Sequence, residues 1–309
     1  MGEKMKTKKP KIRNKRTLTI ADVLFYVPSY LFYILFTLLC IFPFYYMFIN
    51  SISANDLSAR GLIIFLPRDI HFTNYLEVFR LRGIGQAALV SVARTVIGTF
   101  GAVLCTSFVA YLLSKKILWG QKFWYRYFIV TMYLNVGLIP WFLNMQMLGL
   151  TNSFLAYVIG VVNPFNLVLV KTFIDAIPPS LEESAEIDGA GPLKIFFRLI
   201  LPLSKPILAT IAVFTAVLQW NSFIDNLILI TDSRLNTLQF VLWEFFNSAA
   251  SVALILQGGP GGRVDPATIM TGTSLRMTIS MVVVLPILLV YPFFQRYFVK
   301  GIMLGAVKG

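Results

Sequence analysis

The chain alternates between long apolar runs and short polar breaks, and the runs are far too long for the core helices of a soluble domain. Runs of about 20 or more apolar residues are the unit that crosses a bilayer. The sequence predicts six, near residues 24–49, 86–113, 123–147, 153–173, 206–230 and 274–298. An even number of crossings puts residues 1–18 and 299–309 on one side. Residues 1–18 carry a dense set of Lys and Arg against a single acid, Glu3, and predict a disordered basic tail on the cytoplasmic side, near anionic lipid. The first run is long enough to be a retained span, not a cleaved leader, since no clean small-x-small site follows it. Lys115, Lys116, Lys122 and Arg126 after the second run, and Arg296, Lys300 and Lys308 near the end, agree with that orientation. The expectation is an all-α polytopic membrane protein with both termini inside and a six-span domain over residues 19–298.

Composition sharpens the picture. The 309 residues are 57% hydrophobic and only 13% charged, which excludes an ordinary soluble protein. The net charge of +13 could suggest nucleic acid, but much of it lies in the tail and the short loops, so no nucleic-acid partner is expected. Cys40 and Cys105 fall inside apolar runs as buried thiols, and with His71 the one histidine, no metal site is expected. The outer loops are residues 50–85, 148–152 and 231–273. The glycine run Gly258–Gly262 in the last has no Gly-Lys-Ser/Thr after it and reads as a turn, not a phosphate cradle.

The polar segment at 178–202, between runs four and five, is the most heavily punctuated stretch. Pro178 and Pro179 stop the preceding helix. Ser180 and Glu183 have capping-box spacing, and Glu182, Glu183 and Glu186 lie where a helix N-terminus favours negative charge. Gly189 suits a left-handed C-terminal turn, Pro192 the first position of a second short helix, and Pro202 its end. A short helix, a sharp turn and another short helix follow. A bare connector between spans needs no such detail.

Glu183-Ser184-Ala185, then Asp188-Gly189-Ala190 and a closing Leu201-Pro202, resembles the EAA loop of ABC-importer permease subunits, with Ser184 for the middle Ala. It is most similar to the carbohydrate-uptake permeases. Leu66-Pro67 and Phe72-Thr73-Asn74-Tyr75 in the first loop, Trp220-Asn221, and the ending Gly301 to Gly309 extend the likeness, the last toward the subgroup for complex oligo- and polysaccharides. The resemblance implies a type I importer permease fold in a prokaryotic cell membrane. It also implies a second, homologous permease chain, a dimer of cytoplasmic ATPase subunits and an external sugar-binding protein. The loop's first helix would dock in a groove of the ATPase, with Glu182, Glu183, Ala185, Asp188, Gly189, Ala190 and Pro202 as the coupling residues. ATP and Mg would be bound by the partner subunits. This chain carries no Gly-x-x-x-x-Gly-Lys-Ser/Thr, so no cofactor and no catalytic residue are expected in it.

Polar residues within the runs are costly in hydrocarbon unless they pair or line a cavity. Gln219, Trp220, Asn221 and Asp225 in run five form the densest group, with Asn221 and Asp225 on one face at helical spacing. Asn163 and Asn166 flank Pro164 in run four. These six are the candidate substrate-pathway residues, since sugars are read by amides, carboxylates and aromatic faces. Hydrogen bonding between helices is the alternative reading. Arg94 either pairs with an acid on a neighbouring span or snorkels outward. Two rival functions stay in view: a membrane-embedded enzyme acting on lipid-linked sugars, which needs a richer acid or histidine cluster than residues 182–188 supply, and a non-transporting scaffold.

Overall fold

The computed structural model describes residues 20–81, 83–134, 136–160, 162–247 and 271–306, with side chains as far as Pro292, Ala21 excepted. The basic tail, the glycine run at 258–262 and the last residues of the chain lie outside the described residues. The chain divides into two units, Met1–Tyr46 and Met47–Gly309. The first holds most of the helix α1 (Ile20–Ser51), which there carries exposed bulky apolar side chains all round its surface, such as Leu24, Leu31 and Leu39. Two of its hydroxyls bond back within the helix: Ser29 Oγ donates to Phe25 O and Thr37 Oγ1 to Tyr33 O. Such a helix has no polar face for water.

The second unit is built around α4 (Ile84–Ser114). Its buried positions include Ala87, Ser91, Arg94, Gly98, Ala102, Thr106 and Ala110, three or four residues apart and, except for Arg94, small. Small side chains on one stripe let neighbouring backbones come close, which is how helices pack without a hydrophobic drive between them. α4 contributes to three apolar clusters. At its C-terminal end Tyr111 and Leu113 pack with α8 (Pro164–Asp175), with the short helices after it, and with α12 (Lys205–Asn221). At its N-terminal end Ile84 and Ala87 meet α3 (Thr73–Arg80), α14 (Leu238–Asn247) and α15 (Gly272–Ala306). Between these, Val90 packs with α6 (Leu138–Met147), α7 (Leu155–Val158) and α13 (Ile224–Leu229).

Among the described residues, three helices are long and apolar enough to cross a membrane, over Asp22–Ser51, Ile84–Ser114 and Gly272–Pro292. A fourth candidate is a pair, Pro192–Leu203 and Lys205–Asn221, bent by 80°. The other runs are interrupted. α5 (Gln121–Tyr133) stops before Gly137, whose φ of +80° a side chain would resist, and α6 starts at the next residue. Run four breaks at Asn163-Pro164: Asn163 caps α8 by accepting from the backbone N–H of Phe165 and Asn166, and Pro164 takes the first position. Run five breaks at Ser222-Phe223, between α12 and α13.

The first connecting loop has its own polar core. Asn55 in α2 (Asn55–Ala59) and Asn74 in α3 exchange side-chain hydrogen bonds of 3.0 and 2.8 Å, and Asn74 also donates to Ser51 O. Asn74, part of the motif that supported the resemblance, is 1% exposed. Tyr75 shares a 2.7 Å hydrogen bond with Ser51, and burial raises its phenol above the usual value, the bond to Ser51 pulling it part-way back.

Candidate functional site

Two polar regions stand out, and α4 touches both. The first is the acidic loop. α9 (Pro179–Ile187) opens at Pro179, without the expected capping box: Ser180 and Glu183 make no side-chain cap, and Ser180 O instead accepts from Ser184 Oγ. Proline has no N–H for a cap to satisfy, so the helix begins two residues earlier than a cap at Ser180 would place it. The C-terminus matches the expectation. Gly189 takes φ +76°, its N–H donates to Glu186 O, and Ala190 N–H donates to Ala185 O, the paired bonds of a Schellman motif. Gly191 and Pro192 then start α10 (Pro192–Ile195).

Pro202 does not end this second piece. A π-turn (Phe196–Ile200) leads into α11 (Leu201–Leu203), and the chain bends only at Ser204. The wider turn, with Leu201 N–H donating to Phe196 O, makes room for a proline ring that would crowd the carbonyl four residues back. Phe196, fully buried, anchors the piece against Phe108, Tyr111 and Phe197, with ring centroids 5.2, 5.4 and 4.9 Å away.

The loop's carboxylates divide. Glu182 turns inward and forms an ion pair with Lys115, which caps the end of α4 and lies over the Tyr111 ring at 4.6 Å. Burial lowers the Lys115 ammonium below its usual range, and the charge of Glu186 pulls it back up. Tyr111 Oη donates to Pro192 O at 3.3 Å. Ala185 and Ala190 pack on the cluster at this end of α4. Glu183 and Asp188 are exposed beside Leu181 and Ile187, the last 86% exposed.

The second region is a cavity of about 330 Å³ lined by Arg94, Trp141, Tyr157, Asn163, Asn166, Thr215, Gln219, Ser222 and Asp225, among others. Arg94 stands at its centre with 3% of its side chain exposed. Its partner is Asp225 on α13, at 2.5 Å from Nη2 and 3.2 Å from Nη1. Gln219 Oε1 accepts from Nε and Nη2, Ser222 O accepts from Nη1, and the Tyr157 ring lies 4.5 Å from the guanidinium carbon. Gln219 in turn donates to Tyr157 O. Gly98 makes this possible: a Cβ there would stand 2.6 Å from Gln219 Nε2.

Of the six residues singled out for the pathway, Asn163, Asn166, Gln219 and Asp225 line this cavity. Asn166 is 5% exposed and donates to Thr215. Asn221 and Asp225 do not share a face, because the helix breaks between them; Asn221 is exposed and accepts from Gln239. Trp220 lines a separate apolar cavity of about 290 Å³ and donates to Val283 O on α15. Arg94 pairs with an acid and does not snorkel. Tyr157 and Trp141 are missing from the sequence reading, since aromatic residues within apolar runs carry no mark of their surroundings.

A family model described as "Binding-protein-dependent transport system inner membrane component" matches residues 102–304, which include the whole acidic loop. The chain belongs to this family. Relatives of this permease include the "Polygalacturonan/rhamnogalacturonan transport system permease protein YtcP" of Bacillus subtilis, 36% identical over 93% of this chain and 99% of that protein. The "Melibiose/raffinose/stachyose import permease protein MelC" of the same organism is 27% identical over 86% of this chain and 91% of that one. Among solved structures, the permease is similar to a chain from the "Crystal structure of a bacterial ABC transporter involved in the import of the acidic polysaccharide alginate". The TM-score is 0.83 at 28% identity, covering 92% of this chain and 100% of that one.

Proposed function

We propose that this permease forms half of the membrane pathway of a binding-protein-dependent ABC importer for a carbohydrate, an oligosaccharide or a polysaccharide fragment, and that α9 is its coupling helix. The observation that carries the reading is the surface of α9. A Schellman-closed helix presents exposed Leu181, Glu183, Ile187 and Asp188, while Glu182 and Ala185 fasten its other side to the chain's own body. Exposed apolar residues rimmed by acids suit a partner protein's groove. The partners are a second, homologous permease, a dimer of ATPase subunits that bind ATP and Mg, and an extracytoplasmic sugar-binding protein. The permease itself is not an enzyme.

The reading takes the three long helices, α12 with α13, and the broken pairs α5–α6 and α7–α8 as six crossings of a prokaryotic cell membrane, with both termini and the acidic loop 178–202 inside. The lengths of the long helices support it. ATP-driven closure of the ATPases moves the two coupling helices together and opens the pathway outward. Asn163, Asn166, Gln219 and Asp225 line that pathway in this chain, with Trp220 and Asn221 beside it. Among the coupling residues, Gly189 and Ala190 turn the chain, Glu182 fixes the helix to α4, Glu183 and Asp188 face the ATPase, and Pro202 sets the approach to the bend.

ATPase activity of the purified assembly in lipid, with and without sugar-loaded binding protein, tests the reading. Glu183→Ala and Gly189→Pro are expected to lose stimulation or ATPase docking while the permease pair stays folded. Full assembly and full stimulation in both variants contradict it.

A further inference from the structure

The buried arginine in the cavity invites a simple idea: that Arg94 clamps the carboxylate of an acidic sugar, as arginine forks often do. The geometry points the other way. An arginine has five N–H donors and no acceptor. The Nε donor goes to Gln219 Oε1 at 3.2 Å, the Nη1 pair to Ser222 O and Asp225 Oδ1, both at 3.2 Å, and the Nη2 pair to Gln219 Oε1 at 3.0 Å and Asp225 Oδ2 at 2.5 Å. No donor is left for a ligand. The charge is spent as well, because the Asp225 carboxylate is in direct contact and a Tyr157 ring covers the guanidinium. An incoming carboxylate would have to displace Asp225 and leave a buried acid without its partner, which is the costly outcome for such pairs.

What remains free toward the cavity is uncharged. Asn163 uses Oδ1 to cap α8, and its amide N–H groups have no partner among the described residues. Asn166, 5% exposed, donates through Nδ2 to Thr215 and keeps Oδ1 as an open acceptor among the described residues. Trp141 adds an aromatic wall. A pair of neutral donors, a neutral acceptor and an indole face are the chemistry of a hydroxyl-bearing ring. A volume of about 330 Å³ lies at the low end for small-ligand pockets, so it holds a short stretch of a chain and not a polymer.

We propose that this cavity is a subsite for an uncharged, hydroxyl-bearing part of the carbohydrate, read by Asn163, Asn166 and Trp141, and that Arg94 is a positioning residue that locks Asp225, Gln219 and the α12–α13 break into the cavity wall. This rests on the reading of the chain as an importer permease. Where the transported sugar is acidic, its carboxylates are then read elsewhere, by the partner permease or the binding protein.

The test uses the assembled complex in lipid nanodiscs and matched trisaccharides that differ at the C6 hydroxymethyl or carboxylate: galactotriose with trigalacturonate, and mannotriose with trimannuronate. Tryptophan fluorescence is titrated in the wild type and in Trp141→Phe, the difference reporting this cavity. A neutral member is expected to give a Trp141-dependent signal, at least as tightly as its acidic counterpart and with no change of that ratio at raised salt. Arg94→Gln and Arg94→Lys should weaken both members of a pair alike, keeping their ratio within about threefold, as a wall defect does. Asn163→Ala should weaken the neutral member by roughly tenfold, the scale of about one hydrogen bond lost without compensation.

A wild-type preference of about tenfold or more for the acidic member, the scale of a charge-assisted bond, overturns the proposal. So does a preference that Arg94→Lys keeps and Arg94→Gln removes. Should neither arginine variant assemble, the wild-type ratio and its salt dependence still decide. Absence of any Trp141-dependent signal, in a complex whose ATPase responds to loaded binding protein, refutes the subsite and leaves the permease reading standing. A complex whose ATPase never responds refutes that reading itself.

Discussion

The two polar regions along α4 treat their charges in opposite ways. In the cavity, Arg94 and Asp225 are almost wholly enclosed and every arginine donor has a partner within the chain. On the acidic loop, Glu182 is tied to Lys115 while Glu183 and Asp188 stand exposed beside bare Leu181 and Ile187. Desolvated charge must be satisfied where it lies, whereas solvated charge can wait for another molecule. The contrast assigns an inward, architectural task to the first region and an outward, partner-facing one to the second. It also explains why a single helix serves both: α4 carries Arg94 in its first half and Tyr111 in its last turn, about 25 Å beyond Arg94 at 1.5 Å per residue, with Lys115 as its cap.

The largest effect should come from splitting the buried pair. Arg94→Gln or Asp225→Asn alone is expected to cost about 3–5 kcal/mol, because each strands a buried charge. The double variant should cost less than the sum of the two, as thermal unfolding of the detergent-solubilised complex can measure. Strict additivity would mean that the pair does not form.

Gly98→Ala comes next. Its Cβ would press on a Gln219 amide held at both ends, and about 1–3 kcal/mol of overpacking is expected. Adding Gln219→Ala should relieve much of it. If Gly98→Ala alone is silent in the same melt, the close approach is not real.

Gly189→Ala probes the other region. Nothing lies within 4 Å of a Cβ there, so its cost, about 1–2 kcal/mol, is purely that of the left-handed backbone. Asparagine should restore most of the loss, since it tolerates that conformation. ATPase docking, measured by co-purification, is the readout. The smallest effect belongs to Lys115→Ala. Its pair with Glu182 is part-exposed and worth up to about 1 kcal/mol, so stability should hardly change while co-purification of the ATPase weakens. Unchanged co-purification would mean that the pair does not position α9.

The acidic loop was legible in the sequence because its turn chemistry is local. Gly189 and Gly191-Pro192 specify backbone angles that no distant contact needs to supply. The start of α9 departs from the expected capping box because a proline at the first helical position competes with it, and Pro202 continues the helix because a π-turn, which leaves no compositional trace, accommodates its ring. The break at Gly137 falls inside an apolar stretch, where hydropathy runs on, whereas the break at Ser222-Phe223 falls within the polar group of run five, whose side chains read equally well on one continuous helix. That second break is what removes Asn221 from the face of Asp225 and turns Asp225 toward Arg94. The spacing of small residues on α4 is itself a signal: it marks a buried packing stripe, on which Gly98 meets Gln219 of α12 and from which Arg94 and Ala102 reach the cavity.

The most direct test of the division between inward and outward polarity is site-specific photo-crosslinking in the assembled transporter. A photoreactive residue at Ile187, on the bare face of α9, is compared with one at Leu227 on α13. The account predicts that Ile187 labels an ATPase subunit and Leu227 does not. An intact assembly in which Ile187 labels no ATPase subunit would contradict the account at its centre.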